Sequence, residues 1–403
     1  MGMKMAARTA VDLAALFFKI LPLSFWETIA TLSIKFCYTD WVVDKFGKDL
    51  DGNRKRVRYF EDVQPDLVQS TRNKRHRGDK ENKKFKITTG FVICFIAHIV
   101  LQGAQFGSNN PSTARLYRKG RYGISMPQLR NVMTRDAFTF MRRYIHFADN
   151  DKHKPKGDHK YDPLFKVNFA LDAVQAGLHA SWVAGEHLVI DESMVKYMGR
   201  SVSFVQYMPA KPIKHGIKMF CLCCAYTGVM LAFKVYLGKE DETDGTALAI
   251  CLGLCGKAHL LNSRGHILFT DNYYTSIKLA KHMYEKHRWT VVGTISPTKK
   301  KQRDKEDFPF AKLSNGARDM IPRGWYREAA IKIRSRSGLI YYIQATTWRD
   351  NNPVFFVSTS QVGASVGLTV KTHVNNKVGR QVLGGVCAKA SYVKYMNGVD
   401  RND

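Results

Sequence analysis

This 403-residue chain predicts an α/β fold, preceded by a helical region and followed by a β-rich stretch, on three observations. Between residues 187 and 295, apolar runs of strand length alternate with runs of helix length. Two of the strand-length runs lead straight into an aspartate, Asp191 and Asp271. Helical spacing prevails before them, and β-branched and aromatic runs prevail after residue 324.

In chain order, residues 1–70 read as mainly helical, with aromatics at Phe17, Phe18, Phe25 and Trp26. The stretch 72–86 is basic and polar; it suits a nuclear-import or DNA-contacting segment as well as an exposed linker. An apolar run over 88–101 predicts a buried helix. Over 125–147, Phe138, Met141, Tyr144 and Ile145 recur at helical spacing, with Arg142 and Arg143 on the other face, as in a core-facing helix. A polar, lysine-rich loop follows over 149–162, with Pro155 and Gly157, and then a helix over 165–182.

The pattern then changes. Residues 187–190 read as a short buried strand ending at Asp191. Runs over 216–225 and 229–237, parted by Tyr226, Thr227 and Gly228, predict a hairpin. A helix over 244–261, a strand over 266–270 ending at Asp271, a helix over 276–286 and a strand over 290–295 complete the series. The order β-β-β-α-β-α-β is that of an RNase H-like core, in which carboxylates at strand ends converge on one face. Residues 297–305 are basic and broken, and strands are expected at 339–343 and 354–357. The stretch 366–385 is polar, and a helix begins near Tyr392.

Composition narrows the function. Hydrophobic residues make up 45% and charged residues 24%, the profile of a folded chain. Lys and Arg number 63 against 34 Asp and Glu, a formal charge of +29 that favours nucleic acid as partner. A ribosome-like protein, a membrane-surface protein or a merely solvated basic face would carry the same sign. The most apolar run, 91–101, is far short of the ~20 residues that a spanning helix needs. Asp12, Lys19 and Pro22 break up the N-terminal apolar stretch, which argues against a signal peptide, and Ala6 stands where myristoylation wants Ser or Thr. The eight cysteines show no paired CxxC spacing, so buried thiols in a reducing compartment are expected, cytosol or nucleus.

Asp191 and Asp271 each follow a strand of the same inferred sheet, the place where functional groups of α/β sheets gather. Carboxylates brought together repel one another unless a cation neutralises them. Mg²⁺ or Mn²⁺ prefers such oxygen ligands, and two ions roughly 3.5–4 Å apart serve phosphoryl transfer. Either aspartate taken singly also suits a plain strand-end cap.

The wording around the aspartates carries a resemblance. Val-Ile-Asp-Glu-Ser-Met over 189–194, Met-Gly-Arg over 198–200, Gln-Tyr-Met-Pro over 206–209, and Lys211, Pro212, Lys214, Gly216 and Lys218 resemble the first catalytic block of piggyBac-family transposases. Phe-Thr-Asp-Asn-Tyr-Tyr-Thr-Ser over 269–276 and Gly-Thr-Ile over 293–295 resemble the second block. Tyr392, Tyr395, Met396, Gly398, Asp400 and Asp403 resemble the closing block. Trp348, Asp350 and the run 354–358, and upstream the stretch 142–150, are similar to the family too, so the likeness covers most of the chain.

The resemblance implies a helical dimerisation and DNA-binding region at 1–184 and an RNase H-like catalytic core at 185–297. It further implies a β-rich insertion at 298–386 and the start of the last catalytic helix at 387–403. Asp191, Asp271 and Asp400 would be metal ligands, with Asp403 as the further acidic residue, for two Mg²⁺ or Mn²⁺ ions. The substrate would be double-stranded DNA, cut at transposon ends, passed through hairpin intermediates and rejoined at TTAA, by a homodimer in the nucleus. Arg200, Lys211, Lys214 and Lys218 suit phosphate contacts, and Asn272 a hydrogen bond to DNA. Tyr273 and Tyr274 suit stacking on DNA or packing on the sheet. Val393, Ser296 and the Gly-Val-Cys-Ala stretch over 385–388 depart from the family pattern, and Asp403 is the last residue given. The family's helical continuation and cysteine-rich zinc module would lie beyond it. Three functions therefore stand open: a metal-dependent transposase, a transposase-derived protein that binds DNA without cutting, and an unrelated nuclease on the same fold, which would keep the carboxylates but not the ordered blocks.

Overall fold

The computed structural model describes residues 17–46, 87–106, 117, 132–199, 202–209, 211–238, 247–296, 321–350, 352–359, 365–374 and 377–400. They fall into two compact units, one up to residue 177 and the other from residue 178 on.

The first unit is helical where described: α1 (Leu23–Phe46), α2 (Thr89–Phe106), α3 (Arg135–Tyr144) and α4 (Asn168–Ser181), whose last turn crosses the unit boundary. In α3, Thr134 caps the first turn by accepting the Ala137 N–H at 3.3 Å. Asp136 sits at its positive end and Arg142 and Arg143 at its negative end, so charge and helix dipole agree. The expected stripe is core: Phe138, Met141 and Tyr144 are buried with Trp26, Ile29, Val92 and Phe95, while Ile145 is the half-buried C-cap. Helix α2 corrects one expectation. It runs on to Phe106 and, among the side chains described, buries the face of Val92, Phe95, His98 and Gln102, whereas Ile99, Val100 and Leu101 are exposed. An apolar run names a helix but not how many of its faces find neighbours.

The second unit is built on a nine-stranded sheet. Its strands are β1 (His187–Lys196), β2 (Val205–Tyr207), β3 (His215–Cys224), β4 (Met230–Val235), β5 (Ile267–Thr270), β6 (Thr290–Ile295), β7 (Tyr326–Arg334), β8 (Ile340–Arg349) and β9 (Pro353–Ser358). They lie in the order β2-β3-β1-β5-β6-β9-β8-β7, with β4 also pairing β3. The β1–β5 and β5–β6 pairs are parallel, and all the others are antiparallel. Helix α5 (Ala247–Lys257) links β4 to β5, and α6 (Ile277–His282), prolonged by a π-turn over Met283–His287, links β5 to β6. The core between sheet and helices includes Leu188, Ile190, Leu222, Cys251, Leu268 and Trp289. Cys221, Cys223, Cys224, Cys251 and Cys255 are buried free thiols, as their apolar settings predict.

Four differences from the sequence reading stand out. Strand β1 does not end at Asp191: it pairs with β3 from Leu188↔Cys224 to Lys196↔Gly216, because β3 is long enough to carry its polar second half. The stretch 298–386 contributes β7, β8 and β9 to the same sheet through the β6–β9 pair. The polar stretch 366–385 is a separate ribbon of β10 (Ser365–Val374) and β11 (Lys377–Val386). Helix α7 (Cys387–Tyr395) starts before Tyr392 and gives way to a 3-10 turn over Met396–Gly398.

Candidate metal centre

The sheet register explains why Asp191 and Asp271 meet. The parallel pairing of β1 and β5 ends at Ile190↔Thr270, so the two aspartates are the next residues on neighbouring parallel strands and share a phase of the pleat. Glu192 follows at once. One carboxylate oxygen from each of Asp191, Glu192 and Asp271 lies within 4.8 Å of the others, and this is the one such acidic, cysteine or histidine group among the described residues.

Local hydrogen bonds aim both aspartates. The Glu192 N–H donates to Asp191 Oδ1 at 2.8 Å. Past β5 the chain turns, and the Tyr273 and Tyr274 N–H groups donate to Asp271 Oδ1 at 2.8 and 3.4 Å. Thr275 closes the turn: its N–H and hydroxyl donate to the Asp271 carbonyl at 3.0 and 2.6 Å, and its hydroxyl lies 2.8 Å from Thr270 Oγ1. Gly293, opposite Thr270, makes room for that pair, since a Cβ there would stand 2.1 Å from Thr275 Oγ1. One oxygen of each aspartate is thereby tied to the backbone, leaving the second to a ligand.

The electrostatics call for a cation. Burial pushes both carboxyls above the usual range, and the neighbouring acids push further, against the pull of backbone N–H groups and Lys211. A hard divalent ion fits this cluster, in which Lys218 pairs with Glu192 while burial leaves the charges of Asp191 and Asp271 disfavoured. Tyr392 from α7 stands alongside: its hydroxyl is 3.3 Å from Thr294 Oγ1, and burial, with the charges of Asp271 and Asp191, pushes the phenol up to about 12.

The remaining expected site residues are placed as follows. Asp400 is exposed after the closing turn and does not join the acidic group. Arg200 and Asp403 lie outside the described residues. Lys214 is exposed, and Asn272 is half-buried beside Asp271. Lys211 donates to the Glu192 carbonyl at 3.3 Å. Lys218 is only 15% exposed and gives its ammonium to Glu192 Oε1 at 3.2 Å. Sequence reasoning missed Glu192 and gave Tyr392 no role. A charged residue at an inward-facing position of a strand was the available signal for Glu192, hidden by the expectation that the strand stops at Asp191.

Comparison with known proteins comes down on one lineage. A family model described as Transposase IS4 matches residues 61–403. A solved structure, the cryo-EM structure of a piggyBac transposase synaptic complex with hairpin DNA, is similar at a TM-score of 0.66 and 20% identity, over 99% of this chain and 69% of that one. At that identity the likeness speaks for the fold.

Proposed function

Because this chain belongs to the transposase IS4 family, we propose that it is a DNA transposase that cuts and joins strands at the acidic group where the β1–β5 pairing ends. The observation that carries the proposal is the meeting of Asp191 and Asp271, both pushed up by burial, beside Glu192 in one acidic group. The series β1, β3, β4, α5, β5, α6, β6, with the short β2 set between β1 and β3 and with β3 antiparallel to β1, supports reading this part of the sheet as RNase H-like. Asp191 and Asp271 would hold the metal. Mg²⁺ or Mn²⁺, when bound, supplies activation of an attacking oxygen and stabilisation of the leaving one. The chain's own part is to aim the two carboxylates by the hydrogen bonds of Glu192, Tyr273 and Tyr274, and to offer cations to the phosphates from Lys211 and Lys214. Asp400 and Asp403 would complete the site in the DNA-bound form. Hairpin intermediates are proposed with it, in keeping with the similar piggyBac complex on hairpin DNA, and TTAA joining, a homodimer and a nuclear location follow from the family resemblance alone.

The test is strand cleavage and joining by the full chain on duplexes drawn from the DNA flanking its gene, with a TTAA-containing plasmid as target. Products that appear with Mg²⁺ or Mn²⁺ and vanish with chelator are expected. The exposure of Asp400, apart from the acidic group, favours a second reading, a protein that holds DNA without cutting. Tight binding with no product under either metal would establish that reading instead.

A further inference from the structure

Glu192 draws polar partners from β3, from the Asp271 turn and from the segment before β3. It is 8% exposed and sits on β1 opposite Phe220 of β3, diagonal to Lys218 on the same face. Its Oε1 accepts the Lys218 ammonium at 3.2 Å and the Tyr274 hydroxyl at 2.9 Å. Its N–H donates to Asp191 Oδ1 at 2.8 Å, and its carbonyl accepts Lys211 Nζ at 3.3 Å. Tyr274 is fully buried and stands in the turn whose N–H groups hold Asp271. Burial and the Glu192 charge push its phenol far above the usual range, so it stays a donor. Lys218 lies over the rings of Phe220, Tyr236 and Tyr273 at 4.8, 5.7 and 5.4 Å, a slot that keeps a cation beside Glu192.

We propose that Glu192 is a positioning residue: held by Tyr274 and Lys218, its side chain braces the Asp271 turn against the strand that carries Asp191. The proposal rests on the metal-dependent reading above and assigns Glu192 and Tyr274 a part in it. Two strands in register bring the aspartates side by side, but β5 ends at Thr270 and the Asp271 carboxylate depends on a turn. The Tyr274–Glu192 bond is a side-chain link from that turn to β1. Outer partners that orient ligating carboxylates typically change metal affinity 10–100-fold when removed. Lys218 holds the brace in place, because a buried carboxylate without its cation is strongly disfavoured.

The test is Mn²⁺ binding by the full chain, followed by electron paramagnetic resonance, with thermal melting alongside. Tyr274→Phe removes only the donor and weakens Mn²⁺ binding by about 10-fold. Glu192→Ala weakens it at least as much. Glu192→Gln, which keeps the acceptor oxygen, recovers most of the affinity. A purely structural role would lower melting temperatures and leave Mn²⁺ affinity of the folded protein untouched, which overturns the proposal. Loss of Mn²⁺ in Glu192→Gln as complete as in Asp271→Asn also overturns it, since Glu192 would then be a ligand. If the parent binds Mn²⁺ no better than Asp271→Asn, the metal-dependent reading fails and the brace with it.

Discussion

At Asp191 the folded protein pushes the carboxyl up to about 7, first through burial, then through the charges of Glu192 and Asp271. In the unfolded chain it titrates near ~3.9. Between those values the unfolded state gives up its proton first. The metal-free fold therefore loses stability as pH rises from about 4 to about 7, and holds level above. Asp191→Asn removes this titration while keeping an oxygen for the Glu192 N–H. The variant and parent are expected to melt together near pH 4, and the variant on the order of 5 °C higher at pH 7.5 without metal. A difference that stays flat with pH would contradict the account. The same residue shows what was legible. An aspartate straight after an apolar run stood out in sequence, and register then placed it. Glu192 did not stand out, because its importance comes from partners 26 and 82 residues away, Lys218 and Tyr274.

The β5–β6 pair and its turn act as one element in which backbone closeness matters more than side-chain choice. A Cβ at Gly293 would come within 2.1 Å of Thr275 Oγ1 and 2.7 Å of Thr270 Oγ1, the two hydroxyls that fasten the Asp271 turn. Gly293→Ala is expected to destabilise the protein by about 1–3 kcal/mol and to lower strand cleavage beyond what its melting temperature explains. Gly253, in α5 with open space around its missing Cβ, is the comparison: its change to Ala is expected to raise the melting temperature slightly. Equal melting temperatures for the two variants would contradict this packing. Elements with a strong local pattern were readable from sequence, β6 to the residue. The second half of β1 and the β10–β11 ribbon were not, because polar residues in them are held by strand partners that local spacing does not reveal. The topology that lays β9 against β6 was equally out of reach, since it joins segments about sixty residues apart.

At the scale of the molecule, the charge of +29 predicts DNA binding that weakens steeply with salt. Not every lysine is expected to contribute. Lys214 is exposed, so Lys214→Ala is expected to reduce the slope of log affinity against log salt by about one. Lys218 is held by Glu192, so Lys218→Ala is expected to leave that slope unchanged. Equal slope changes in both variants would mean that Lys218 turns to the DNA. Sequence showed the charge and the family likeness, and the fold separated surface cations from the one spent inside. The most direct test of the central claim is Mg²⁺-dependent strand cleavage by Asp271→Asn beside the parent, with DNA affinity measured on the same duplex. The account predicts that cleavage is lost while affinity stays within about twofold, because Asp271 stands in the acidic group proposed to hold the metal and not among the cations proposed to meet the phosphates. Cleavage by the variant at the parent's rate would contradict it.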